Sequence, residues 1–375
     1  MKIAIDARSW DWTGVGRYIR SLVHEYARLK TEHTFTLVVP REAELSAEVL
    51  KQPNLFQIER TDASYYSFSE QTTFLREISR IKADLFHFPH FNVPLRFGRP
   101  YVVTIHDTTR FVFSGQRRTG LFSQIAYEIV FAHAVKKARK IICVSKHTQE
   151  ELLSLPILRA GDVARKNVQT IYEGVDEEFF RPVPELDRAK VRAMLGTKNP
   201  YVLYVGVWMS HKNLPRLLES FQLVKEKYPQ LRLVVTGKPV PTYTKVLDRV
   251  KELHLEKEVI FSGFVPHPLL PALYREAELL IVPSLYEGFG LPALEAAALG
   301  TPVVASNVTS LPEIMGEAAE YVNPENTASI ADGIQHLLAN DQRSEELVKK
   351  GASQAGKFSW KTCAEETLSI YNGTN

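Results

Sequence analysis

The chain has 375 residues, of which 45% are hydrophobic and 24% charged, and a formal net charge of +3. This composition fits a globular protein of roughly two or three domains, and it excludes a disordered chain and a strongly basic nucleic-acid binder. The two cysteines, Cys143 and Cys363, make neither a disulfide framework nor a metal-ligand pattern. No apolar run reaches the ~20 residues that span a bilayer, and no signal-type segment follows Met1, so a cytoplasmic location is expected.

Strand-like runs alternate with helical periodicity from the start. Lys2 to Ile5, Phe35 to Val39, Leu85 to Phe88, Tyr101 to Ile105 and Lys140 to Val144 each adjoin a helical pattern. This βα alternation predicts a parallel sheet with helices on both faces, and ligands of such sheets bind beyond the carboxyl ends of the strands.

After the first run, Thr13-Gly14-Val15-Gly16-Arg17-Tyr18 opens a helix through Ile19, Leu22, Val23 and Tyr26. A Gly-x-Gly at a helix start lets a phosphate or a sugar approach the free N–H groups. The third glycine of a dinucleotide fingerprint is missing, which argues against a nicotinamide-dependent oxidoreductase. Phe86-His87-Phe88-Pro89-His90 and Thr104-Ile105-His106-Asp107 end later strands. Three histidines and an aspartate raise the question of a metal, yet no Asp-x-Asp chelating pair occurs, and His87 and His90 are expected to line the site.

Ser145 is placed to cap the helix that follows Val144. The segment from Arg117 to Lys140 mixes apolar and cationic residues. A core helix with a solvated basic end is the favoured reading, and a reversible peripheral contact with a membrane surface is the other. Gly174-Val175-Asp176 and the prolines Pro182 and Pro184 mark a linker, which sets expected domains of 1–181 and 182–357 and a closing helix from Phe358.

The second half repeats the pattern. Tyr201 to Gly206 reads as a buried strand, and its loop carries His211, Lys212 and Asn213 ahead of a helix. A lysine there neutralises a diphosphate without a metal ion, and His211 is read as a second cation beside it. Val259 to Val265 contains a further strand end. Behind the apolar run Leu279 to Pro283 stands Glu287-Gly288-Phe289-Gly290-Leu291-Pro292-Ala293-Leu294-Glu295. Pro292 suits the first turn of a helix, so the helix should open near Leu291 with Glu287 before it and Glu295 inside it. The helix N-terminus favours an anion, and the carboxylates suit ligand hydroxyls. Phosphate together with hydroxyls points to a nucleotide-sugar.

Two glutamates seven residues apart around Gly-Phe-Gly-Leu-Pro resemble the signature of retaining glycosyltransferases of family 4. The glycine loop at 14–16, Thr-Ile-His106-Asp107, Gly-Val-Asp before the linker and the turn at Phe264 and Val265 are similar to further elements of that family, in particular its mannosyl- and hexosyltransferases of surface polysaccharide synthesis. The resemblance implies an α/β GT-B fold: two Rossmann-like domains with a cleft between them, and a C-terminal helix crossing back to the first. It implies transfer of a hexose from a nucleotide-sugar, GDP-mannose before UDP-glucose, to a glycan or lipid-linked glycan acceptor with retention and without a divalent metal or other cofactor.

By the same resemblance Glu287 takes the sugar hydroxyls, with Gly288, Phe289, Gly290 and Leu291 beside it, and Glu295 takes the ribose. Lys212, Gly14, Gly16 and Arg17 serve the diphosphate, main-chain groups at Phe264 and Val265 read the base, and His106 faces the reacting centre. Many relatives carry an arginine beside this lysine, where the present chain has His211. The alternatives are a nucleotide-sugar epimerase or phosphorylase, and a non-catalytic nucleotide-sugar-binding protein.

Overall fold

The computed structural model describes residues 1–113, 121–158, 163, 165–237 and 245–374. Within those residues the contacts divide the chain into two units, the first made of 1–111, 121–174 and 360–374, the second of 112–113 and 175–359.

The first unit is built on seven parallel strands: β1 (Lys2–Asp6), β2 (Thr34–Pro40), β3 (Phe56–Thr61), β4 (Leu85–Phe88), β5 (Tyr101–Ile105), β6 (Lys140–Cys143) and β7 (Val168–Thr170), in the order β3-β2-β1-β4-β5-β6-β7. β4 and β5 are buried at every position, as unbroken apolar runs must be when helices cover both faces of a sheet. The helix Val15–Arg28 buries Tyr18, Ile19, Leu22, Val23 and Tyr26, the stripe that the sequence spacing predicts. Ser145 caps the helix Lys146–Ser154 by accepting from the Thr148 N–H at 3.1 Å. The helix Leu121–Lys137 sends Phe131, Ala134 and Val135 into the core and ends on Lys136 and Lys137, in keeping with a core helix that has a basic end. Arg117 to Gly120, the start of the basic segment, lie outside the described residues.

The second unit has six parallel strands: β8 (Tyr201–Tyr204), β9 (Arg232–Thr236), β10 (Val259–Gly263), β11 (Leu279–Val282), β12 (Val303–Ser306) and β13 (Glu320–Val322), ordered β10-β9-β8-β11-β12-β13. Leu217, Phe221 and Val224 from the helix Leu214–Lys227 share one core cluster with Ile330 and Ile334 from the helix Thr327–Ala339.

The unit boundary differs from the linker position expected at 181 and 182. The Val175 N–H donates to the Phe358 carbonyl at 3.2 Å, and buried Phe179 meets the Tyr274 ring at 6.0 Å. These contacts tie residues 175–181 to the second unit. The last helix, Trp360–Asn372, belongs to the first unit and packs on the helix Val15–Arg28, with Tyr26 and Tyr371 hydroxyls 3.2 Å apart.

Each strand order reverses once. In the first unit the chain moves outward from β1 to β3 and returns at β4; in the second it moves from β8 to β10 and returns at β11. At such a switch point the loops after the two central strands diverge and leave a crevice, where ligands of open α/β sheets bind.

Candidate functional site

In the second unit the switch point joins the loop after β8 to the loop after β11. Ser210–Lys212 forms a 3-10 turn, closed by Asn213 at a φ of 62°. The Asn213 side-chain amide donates to the carbonyls of Pro283 and Pro324 at 3.0 and 2.7 Å, and the Leu285 N–H donates to the His211 carbonyl at 2.7 Å. These bonds hold Lys212 over the end of β11. Its ammonium donates to both oxygens of Glu287, at 2.8 and 2.7 Å, with the two side chains only 18% and 13% exposed.

Glu287 is fixed from three further sides. The Ser284 hydroxyl donates to its carboxylate at 2.7 Å, its own N–H donates to the Thr309 hydroxyl at 3.1 Å, and the Ser310 hydroxyl donates to its carbonyl at 2.9 Å. Ser310 also donates to the Phe289 carbonyl at 3.0 Å. The helix Leu291–Ala298 opens where Pro292 places it, capped by Gly290 at a φ of 108°. A side chain there would be strained, and its Cβ would lie 2.8 Å from Leu311 Cδ2. Gly288 and Phe289 complete the loop, with Phe289 buried.

Glu295, inside that helix, is 2% exposed and accepts from the Tyr274 hydroxyl at 2.6 Å. His211 is buried, and its neighbour Lys212 reaches the loop. The turn after β10 carries Gly263 at a φ of 69°, then Phe264, 64% exposed, and Val265, buried. The fold therefore brings Lys212, Glu287 and the glycine loop into direct contact, with Glu295 one helix turn or more behind them.

In the first unit, the Gly14–Gly16 loop starts its helix without a side-chain cap. Space around Gly14 is open, whereas a Cβ on buried Gly16 would run into the carbonyl oxygens of Ser9 and Trp10. Gly16 thus serves close packing of the loop after β1, a reason for glycine separate from any ligand. Arg17 lies in the first turn of this helix.

His106 follows β5. Its Nδ1 lies 3.0 Å from a Glu173 carboxylate oxygen and its Nε2 3.0 Å from the Pro89 carbonyl. Both partners are acceptors, so the two contacts are satisfied together when both ring nitrogens carry a proton. The Tyr18 ring meets His106 edge-on at 4.9 Å.

His87 does not line a site. It is fully buried, with Nδ1 2.7 Å from the Tyr371 hydroxyl and Nε2 2.8 Å from Thr104 Oγ1, and Tyr18 continues the chain to Thr104 at 3.2 Å. Burial, and then the charge of His106, lower its pKa to about 3. His90 turns to the Asn92 side chain at 2.6 Å. The histidines thus face separate partners. Among the described residues, the group with metal-ligand spacing is Asp176, Glu178 and His267 in the second unit, where His267 Nδ1 lies 2.8 Å from a Glu178 carboxylate oxygen.

Sequence spacing did not signal Glu173, Tyr274, Ser284, Thr309 or Ser310. Each acts by holding a residue 3 to 67 positions away in the chain, and only the His and Glu that they hold carry a recognisable motif.

Comparison with known proteins assigns one family model to each half of the chain, with the junction between residues 179 and 187. Residues 12–179 match the model described as Glycosyltransferase Family 4, and residues 187–354 match that of Glycosyl transferases group 1. The chain is 29% identical over 399 residues to the O-antigen chain mannosyltransferase B of Escherichia coli, covering 99% of each. It is 30% identical over 297 residues to an uncharacterized glycosyltransferase of Methanocaldococcus jannaschii, covering 76% of this chain and 72% of the relative. Two solved structures share the fold: sucrose-phosphate synthase from Thermosynechococcus elongatus, with a TM-score of 0.77, 22% identity and coverage of 99% and 98%, and Anabaena HepE in complex with UDP and glucose, with a TM-score of 0.78, 19% identity and coverage of 100% of each. The architecture is GT-B.

Proposed function

This chain belongs to the glycosyltransferases, and from that premise we propose that it moves a hexose from a nucleotide-sugar to a glycan or lipid-linked glycan hydroxyl with retention of configuration. The observation that carries the reading is the Lys212–Glu287 pair across the β8/β11 switch point, ahead of the helix Leu291–Ala298. A cation, a carboxylate and a helix N-terminus at one loop suit a ligand that is anionic at one end and rich in hydroxyls at the other.

In this mechanism the bond between the sugar's anomeric carbon and the diphosphate oxygen breaks. The acceptor oxygen bonds to the same face of that carbon, and its proton passes to the departing diphosphate. Lys212, with the helix N–H groups, lowers the energy of the leaving group, and no divalent metal is required. Glu287 holds sugar hydroxyls and Glu295 the ribose, and His106 of the first unit is assigned to the chemical step. Rate then comes from positioning and preorganised charge. A glycosidase-type double displacement needs a carboxylate nucleophile about 5 Å from an acid/base, a role not assigned to Glu287 because its oxygens are held by Lys212 and Ser284.

GDP-mannose is the favoured donor, supported by the likeness to the Escherichia coli mannosyltransferase, and UDP-glucose is second, supported by the ligands of the Anabaena structure. No described helix is long and apolar enough to cross a membrane; a lipid-linked acceptor would be met at the membrane surface.

The test is turnover of a donor panel (GDP-mannose, UDP-glucose, UDP-N-acetylglucosamine) with EDTA, followed by NMR of the product's anomeric proton. Release of a nucleoside diphosphate with an axial-configured product supports the reading. An inverted product, or epimerised nucleotide-sugar with no transfer, overturns it.

A further inference from the structure

In the second unit the short helix Leu311–Met315 follows β12, and the two residues before it depart from their ordinary local geometry. Thr309 has a φ of 59°. A β-branched side chain in the left-handed region crowds its own backbone, so this conformation costs energy and persists only where the surroundings impose it. Ser310 is the N-cap of the helix, where a serine ordinarily takes an extended conformation and turns its hydroxyl to a free N–H. Here its backbone is already helical, at φ −77° and ψ −18°, and its side chain caps nothing. Both residues forgo a local preference at one turn.

Their side chains reach the loop after β11 instead. The Glu287 N–H donates to Thr309 Oγ1 at 3.1 Å, and the buried Ser310 hydroxyl shares its proton between the Glu287 and Phe289 carbonyls at 2.9 and 3.0 Å. Glu287 is thus held on both sides of its α-carbon, through its N–H and its carbonyl. The turn itself is anchored from behind: the Asn307 N–H donates to the Val322 carbonyl at 2.9 Å, and the Ile314 N–H to the Ser310 carbonyl at 2.9 Å. The direction of the Glu287 carboxylate follows from a main chain that Thr309 and Ser310 fix.

We propose that Thr309 and Ser310 form a strained latch on the Glu287–Phe289 loop, and that Thr309 is a positioning residue that sets affinity for the sugar part of the donor. The inference rests on the nucleotide-sugar reading of this loop. The latch acts through Glu287, whose carboxylate is assigned to sugar hydroxyls, so its loss falls on the hexose more than on the nucleoside diphosphate. Glycine adopts a positive φ freely. Thr309→Gly therefore relieves the strain and removes the hydroxyl together, and stability and sugar affinity separate, which they do not for a residue whose role is only structural.

The test is isothermal titration and calorimetric melting of the full chain as wild type, Thr309→Gly, Thr309→Ser and Ser310→Ala, with GDP-mannose, UDP-glucose, GDP and UDP. Thr309→Gly is expected to melt no lower than wild type, to bind the nucleotide-sugar about fivefold or more weakly, as for one lost hydrogen bond, and to bind the matching diphosphate within about twofold of wild type. Thr309→Ser keeps the hydroxyl and should hold the wild-type affinity for both, while Ser310→Ala should weaken the nucleotide-sugar selectively. A lower melting temperature in Thr309→Gly overturns the strain. Unchanged nucleotide-sugar affinity in that variant, or an equal loss for nucleotide-sugar and diphosphate, overturns the latch alone. A wild type that binds neither nucleotide-sugar removes the donor reading and the latch with it.

Discussion

The Lys212 ammonium lies 2.8 and 2.7 Å from the two carboxylate oxygens of Glu287, so the residue proposed for the leaving group and the residue proposed for the sugar neutralise each other before a donor arrives. Removing either leaves the other as a half-buried, uncompensated charge. Lys212→Met and Glu287→Gln are each expected to lower kcat/KM by about 100-fold or more, comparable to losing one preorganised donor in other enzymes. The double variant should fall well short of the product of the two losses, because residues in direct contact couple. Steady-state kinetics on the four proteins checks this; full additivity would mean that the pair does not act as a unit.

The two glycines of the first loop separate by packing. Gly16→Ala forces a Cβ against the Ser9 and Trp10 carbonyls and is expected to destabilise by about 1–3 kcal/mol. Gly14→Ala meets nothing within 4 Å and should leave the melting temperature nearly unchanged. If Gly14 borders a bound diphosphate, the same variant weakens nucleotide-sugar binding. Calorimetric melting with and without donor reads both effects.

Glu173 holds His106 by a carboxylate contact at 3.0 Å. Glu173→Gln keeps the shape and removes the charge, so His106 loses a charge-assisted bond. The expected result is a fall in kcat of about tenfold with unchanged donor affinity, as for a positioning residue whose effect is confined to the chemical step. An equal rise in the donor dissociation constant would place Glu173 in donor binding instead.

His87 gives a dependence on acid. Burial, and secondarily His106, hold its pKa at about 3 in the folded chain, against about 6.5 when unfolded. The unfolded chain therefore binds the proton first as pH falls from about 6.5 toward 3, and the stability supplied by neutral His87 is lost across that window. His90, lowered to about 4 by burial, acts in the same direction. His87→Gln should start less stable at neutral pH and show a flatter decline in acid. Denaturant melts at pH 7 and pH 5 measure the difference, and identical slopes would contradict the assignment.

Much of this architecture is legible in the sequence because local patterns suffice for it. Buried runs such as Tyr101–Ile105 and Leu279–Val282 read as strands, and Pro292 marks its helix. The edge strands Phe56–Thr61 and Glu320–Val322 escaped, since half-exposed residues break the apolar run. The site is legible where one motif holds its residues, as in Glu287 to Glu295. It is not where partners lie far apart: Tyr371 is 284 positions from His87, and Glu173 is 67 from His106. His87 looked like a lining residue because it ends a strand, and only the returning helix Trp360–Asn372 makes it core. Thr309, 22 positions from the Glu287 it holds, had no local mark at all.

The central claim, a metal-independent nucleotide-sugar site in the second unit, is tested most directly by isothermal titration of GDP-mannose and UDP-glucose in EDTA, on wild type and on Glu295→Ala. Glu295 is buried beside Tyr274, so the variant's fold is verified by its melting curve. The account predicts binding of at least one donor to the wild type without metal and a loss of about tenfold or more in the variant, near the ~1.4 kcal/mol or more that loss of a hydrogen bond to a charged group costs. Binding that requires a divalent ion, or equal affinity in wild type and Glu295→Ala, would contradict it.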